Sequence, residues 1–256
     1  MEIVDLDKEV EAKFLEHAYG NPLEYYFYIL DWEFNREDSK FLLAREGEDI
    51  RGIMLTYKSH VAQFRGSREA VEALFPHLAL RKTDIIVPLG MEDIPLRTYE
   101  PTEQHELVLM HLDRGAEKPT KTRETEEPTV DDADAIARLM RDTLPEFWGE
   151  ETGEKIRESM EKTFWLVAKD GDKIVSVGNT FFADFGSNIG VVTTHEAYRN
   201  KGYATSMVSS LVEKIFQRSD KALIHVFADN NPARHTYRKV GFSPFNSYVL
   251  IKGQRT

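Results

Sequence analysis

The chain has 256 residues, 41% hydrophobic and 30% charged, which supplies apolar side chains for one large core or two modest ones and argues against wholesale disorder. A net charge of −11 excludes general binding to nucleic-acid phosphates, and the lack of cysteine excludes disulfides, thiolate metal sites and a cysteine nucleophile. The acidity is uneven: residues 1–115 carry 13 Lys and Arg against 23 Asp and Glu, whereas residues 129–256 carry 17 of each. That asymmetry points to two domains. The N-terminus is acidic rather than signal-like, and no apolar run approaches the roughly 18 residues of a membrane span. The expectation is a cytoplasmic protein with no membrane or nucleic-acid partner.

In chain order, an acidic helix is expected over residues 7–19, with Phe14, Leu15 and Ala18 on its buried stripe. Tyr25, Tyr26, Phe27, Tyr28 and Trp32 follow, either as core or as the lining of a pocket. Strands are expected at 41–45, 50–57 and 60–64, and Ser67 caps a helix over 68–78. Two more strands are expected at 84–88 and 106–112. Residues 115–128 hold two prolines and many charges, and read as a linker or an exposed edge segment. The predicted division is therefore 1–115, a linker at 116–128, and 129–256.

In the second half, Asp131 or Asp132 caps a helix reaching Thr143, and a polar helix follows over 151–162. Strands are expected at 164–169 and 173–183, then at 189–194. Ala204, Val208, Leu211, Val212 and Ile215 form the clearest helical stripe of the chain, within 202–218. A strand at 221–228, a helix at 232–240 and a strand at 248–251 complete an α/β arrangement in which helices cover a mixed sheet.

The turn from the strand ending at Thr194 into that helix carries Arg199, Asn200, Lys201 and Gly202. Free N–H groups and the dipole at a helix start, with two cations and a glycine beside them, suit a phosphate or pyrophosphate. An ordinary strand–loop–helix connection with solvated basic residues fits the same residues. The histidines lack metal-ligand spacing, so no metal is expected.

Two stretches narrow the reading. Tyr198-Arg199-Asn200-Lys201-Gly202-Tyr203-Ala204 precedes one helix, and Asn230 to Phe242, with Asn230, Ala233, Tyr237, Gly241 and Phe242 in phase, follows the next strand. Together they resemble the GNAT superfamily of acyl-CoA-dependent N-acyltransferases over residues 128–250, especially its FR47-like branch. The resemblance implies a mixed sheet whose central strands splay to admit acetyl-CoA, and direct attack of an amine on the thioester. It implies that backbone groups of Val192, Thr193 and Thr194 meet the pantetheine arm. It also implies that Arg199, Asn200, Lys201, Gly202, Tyr203, Ala204 and Thr205 surround the pyrophosphate. Asn230 would contact the cofactor, or cap the helix that follows. Tyr237 would be the general acid, or a packed core residue.

Residues 187–194 hold no carboxylate for a general base. His225 stands where some relatives place a glutamate, and is either a base or a core residue. His195, Asp184 and Asp229 are weaker candidates. The acceptor would be an amine on a small molecule or on a protein N-terminus or lysine; the acidity of the first half serves either to attract a cationic acceptor or simply for solubility, and a homodimer is compatible with the reading. The first half echoes the strand–helix order around Arg65-Gly66-Ser67, as a degenerate GNAT-like domain would. The alternative reading is a CoA-binding sensor or assembly protein without catalysis.

Overall fold

A computed structural model describes residues 1–118 and 120–256, without the side chain of Glu146. The first strand, β1 (Glu2–Asp5), lies outside the expected elements. The first helix, α1 (Glu11–Gly20), starts later than its apolar pattern suggests. Asp7 is the reason: its carboxylate accepts from the N–H groups of Glu9 and Val10 at 2.9 and 3.3 Å, forming a turn ahead of the helix.

The aromatic run is itself a helix, α2 (Tyr26–Phe34). Tyr25, Tyr26 and Tyr28 are buried, and Trp32 meets Phe14 and Phe41 with ring centroids 5.5 and 5.9 Å apart. These rings are core. Then come β2 (Ser39–Glu46), β3 (Asp49–Tyr57), β4 (Val61–Gly66), α3 (Arg68–Leu74), β5 (Lys82–Pro88), α4 (Asp93–Leu96) and β6 (Tyr99–Asp113). Ser67 caps α3 as expected, its Oγ accepting from Ala70 N–H at 3.2 Å. The helix ends earlier than expected because Pro76 converts its continuation into a 3₁₀ turn, Phe75–His77.

The second half supplies α5 (Ala133–Thr143), α6 (Pro145–Trp148), α7 (Gly153–Met160), β7 (Phe164–Asp170), β8 (Lys173–Phe181), β9 (Ser187–Thr194), α8 (Tyr203–Ile215), β10 (Lys221–Phe227), α9 (Asn231–Val240) and β11 (Ser243–Arg255). The start ahead of α5 is a capping box between Thr129 and Asp132 around a 3₁₀ turn, rather than a simple Asp cap.

The chain divides into two compact units: residues 1–109 with 227–229 and 245–256, and residues 110–226 with 230–244. In the first unit the strand order is β1-β2-β3-β4-β5-β11-β6. Strands β2, β3 and β4 are antiparallel, α3 follows, and β5 runs parallel to β4. In the second unit β7, β8 and β9 are antiparallel, α8 follows, and β10 runs parallel to β9. The same order of elements thus occurs twice.

The first copy uses its key positions differently. A Cβ on Gly66 would collide with Arg51 O, so this glycine serves strand approach. Arg65 is only 2% exposed, pairs with Glu24 at 3.0 Å, and lies 3.7 Å from the Tyr248 ring centre. The Tyr248 hydroxyl donates to Glu24 at 2.9 Å. This buried, neutralised network occupies the stretch of β4 beyond its last registered pair with β5, Gln63↔Ile86.

Burial sets one titration in this unit. The Asp31 carboxyl accepts from Asn35 Nδ2 at 2.8 Å, but burial outweighs that bond and the charge of Lys58, with Asp38 adding repulsion, and raises its pKa to about 6. Below pH 4 the group is neutral in both folded and unfolded chains. Between about pH 4 and 6 the unfolded chain ionises the group while the folded chain holds it neutral, so stability falls across this window and levels off above 6. Asp31→Asn keeps an acceptor for Asn35 and removes that cost. The variant is expected to melt several degrees higher at pH 7.5, a gain of about 2 kcal/mol, and to match the wild type near pH 4 in thermal melts.

Candidate functional site

The second unit's site begins with a divergence of two strands. β9 pairs with β10 only at Ser187↔Ala222, Asn188↔Leu223 and Ile189↔Ile224. Past Ile189, β9 continues beside β8 to Ser176↔Thr194 but has no registered partner on its other side among the described residues. That leaves a wedge whose wall is main-chain N–H and C=O.

Two bonds fix which groups face the wedge. Val191 N–H donates to Asn179 Oδ1 at 2.8 Å, and His195 N–H donates to Val175 O at 2.9 Å, so both point toward β8. Main-chain direction alternates along a strand, so Thr193 also faces β8, while Val192 and Thr194 face away from it. Thr193 O accepts from Ser176 Oγ at 3.0 Å, in keeping with that side.

The loop after β9 supplies the second wall. Arg199 Nε donates back to Thr194 O at 3.4 Å. Asn200 and Gly202 are left-handed, with φ of 62° and 87°. Gly202 occupies the N-cap position of α8 and has no side chain to cap it, whereas Thr152 caps α7 and Asn230 caps α9. The first N–H groups of α8, on Tyr203, Ala204 and Thr205, thus lack the side-chain acceptor that those helices have. Arg199, Asn200 and Lys201 are exposed, so cations and helix dipole act together at this end.

Residues 120–127 are laid against α8 rather than hanging as a loose connection. Ser206 Oγ accepts from the N–H groups of both Thr122 and Arg123 at 3.0 Å, and Thr125 Oγ1 bonds Ser210 Oγ at 2.8 Å. Arg123 Nε donates to Lys201 O at 2.9 Å, and its guanidinium lies 4.9 Å from the Tyr203 ring centre. The strap differs from the linker or exposed edge segment expected over 115–128. Its signal was the run of buried serines, Ser206, Ser209 and Ser210, in a helix whose stripe is otherwise apolar. Buried hydroxyls need partners. Removing the shared acceptor in Ser206→Ala is expected to cost about 2 kcal/mol, read as a lower Tm, with a smaller loss in Ser209→Ala, whose Oγ accepts among the described residues only from Thr120 N–H, at 3.4 Å.

The remaining candidates fall as follows. Asn230 Oδ1 accepts from Ala233 N–H at 3.2 Å, so it caps α9. Tyr237 lies on α9, which packs on α8, is 6% exposed, and faces Phe242 with ring centroids 6.1 Å apart. Burial raises its phenol well above the usual value. His225 is half-buried on β10, one residue beyond the last pair with β9. His195 Nδ1 accepts from Ala197 N–H at 3.2 Å and so holds the turn after β9. Asp184 and Asp229 are exposed outside the strands. Among the described residues no three His, Asp or Glu side chains cluster as metal ligands.

The model of the Acetyltransferase (GNAT) family matches residues 133–242, which span this wedge, loop and α9. The chain carries a GNAT acetyltransferase domain. Solved structures repeat its fold along nearly the whole length. A Drosophila protein matches with TM-score 0.74 at 13% identity, covering 98% of each chain. A tandem GNAT protein from the clavulanic acid biosynthesis pathway matches at 0.63 and 12%, covering 99% of this chain and 98% of its own. A GNAT-family acetyltransferase from Colwellia psychrerythraea matches at 0.61 and 10%, covering 99% and 100%. Identities this low show the fold alone. No curated protein sequence matches the chain. The GNAT domain places the chain among acyl-transferring folds. Among the described residues no helix is long and apolar enough to cross a membrane.

Proposed function

We propose that the second unit is an acyl-CoA-dependent N-acyltransferase that moves acetyl from acetyl-CoA to a primary amine by direct attack. One observation carries this reading: β9 leaves β10 after Ile189↔Ile224, beside an α8 start that no side chain caps. An extended polar ligand with an anionic end fits such a wedge. Acetyl-CoA, when bound, supplies an activated acyl group and a thiol leaving group.

The chain's own residues do the rest. Main-chain groups of Val192 and Thr194 line the wedge, and the Val192 N–H is placed to stabilise charge on an acyl oxygen. Arg199, Lys201 and the N–H groups of residues 203–205 hold phosphates. Tyr237 keeps a proton at Oη for a departing sulfur. His225, at the mouth of the divergence, takes the proton from the amine. The acceptor is an amine on a small molecule or a protein.

Incubation with acetyl-CoA and an amine panel, following free thiol, tests the reading. Turnover with at least one amine is expected. CoA binding in calorimetry with no turnover for any amine favours instead a CoA-binding sensor, a reading that rests on the absence of a carboxylate in β9.

A further inference from the structure

A bulge in β9 sits where the wedge opens. Asn179 pairs with Val191 and Thr180 with Ile189, so Gly190 has no opposite residue. The side chain of Asn179, 8% exposed, fills the gap in the ladder by accepting from Val191 N–H at 2.8 Å. Gly190 gives it room: a Cβ there would lie 2.9 Å from Asn179 Oδ1. The bulge has a directional consequence. One residue more or less reverses which side each later residue presents. With the bulge in place Val191 and Thr193 face β8, and Val192 and Thr194 face the wedge. Without it the two sets exchange, and Val192 N–H is lost to the β8 ladder.

We infer that Asn179 is a positioning residue that locks the β9 bulge and thereby aims the Val192 N–H into the wedge. Its role in turnover rests on the acyltransfer reading; the lock itself does not. Gly190 and Asn179 act as one device, a side-chain acceptor and the space it requires.

The test uses the full chain with Asn179→Leu, Asn179→Asp and Gly190→Ala. Asp keeps an oxygen at the same reach, and Leu does not. Amide hydrogen exchange reads the lock without any substrate. The Val191 amide is expected to exchange at least tenfold faster in Asn179→Leu than in wild type, and to stay protected in Asn179→Asp, with the amides of β7 unchanged as a sign of intact folding. In turnover, Asn179→Leu lowers kcat about tenfold while KM for acetyl-CoA stays within threefold, and Asn179→Asp recovers most of the loss. Gly190→Ala is expected to give a similar loss alone and less than a twofold further loss when added to Asn179→Leu. Val191 protection that survives Asn179→Leu, or losses at the two positions that simply multiply, overturns the inference. Exchange that responds as expected in a protein without turnover supports the lock and counts against the acyltransfer reading instead.

Discussion

Tyr237→Phe is expected to lower kcat by at least tenfold and to leave the Kd for CoA within twofold. The ring stays. It packs against Phe242 from α9, so stability and wedge shape persist, and only the Oη proton is removed. A positioned general acid contributes roughly 10²–10⁴-fold, and a thiolate that can leave partly unassisted places the loss at the lower end. Burial raises the phenol, so it remains protonated through pH 10. No fall in kcat from Tyr237 ionisation is therefore expected on the alkaline side, and a rise at acid pH reports the amine and its base. Phe at 237 with wild-type kcat makes Tyr237 a core residue of α9. In that case the proton comes from water, and the fold of the site stands without its acid.

The wedge shows how sequence and structure divide the information. The loop geometry at Arg199 to Gly202 was legible as a strand–loop–helix turn with a glycine at the helix start, and the structure places left-handed Gly202 at the N-cap of α8. Asn230 was legible as a cap of the helix that Pro232 begins, and it caps α9, whereas a catalytic role for Tyr237 rests on the family resemblance and not on its spacing. Asn179 was not. Its role depends on a bulge in the neighbouring strand, and nothing in Val177-Gly178-Asn179-Thr180 announces a register shift. The 120–127 strap was hidden for a related reason: its bonds go to serines over 80 residues away, and local polarity reads only as solvation. In the first unit α2 escaped because a helix buried on several sides loses its amphipathic period. β11 runs from Ser243 to Arg255, well beyond its apolar segment, because antiparallel pairing with β5 from Tyr248↔Pro88 to Gln254↔Lys82 organises residues that carry no strand signal themselves.

Gly202→Ala is expected to weaken CoA binding by at least tenfold and to lower Tm. Two costs combine. The left-handed φ of 87° penalises any side chain by about 1 kcal/mol. The new Cβ also collides with Thr122 Oγ1, which sits against the loop because Ser206 holds the N–H groups of Thr122 and Arg123. Relief moves either the strap or the first turn of α8, and the N–H groups of residues 203–205 follow the turn. The double variant Gly202→Ala with Thr122→Gly separates these costs, since it clears the obstruction and keeps the φ penalty. Calorimetry with CoA is expected to recover part of the lost affinity in the double variant, and the affinity of both variants should still fall with added salt, since Arg199 and Lys201 remain. Wild-type affinity in Gly202→Ala would mean that phosphates do not lie at this helix start. Loss without recovery would assign the effect to φ strain alone. A recovery makes the strap part of the loop's geometry, so that the stretch preceding the motif-bearing half sets the aim of the anion site.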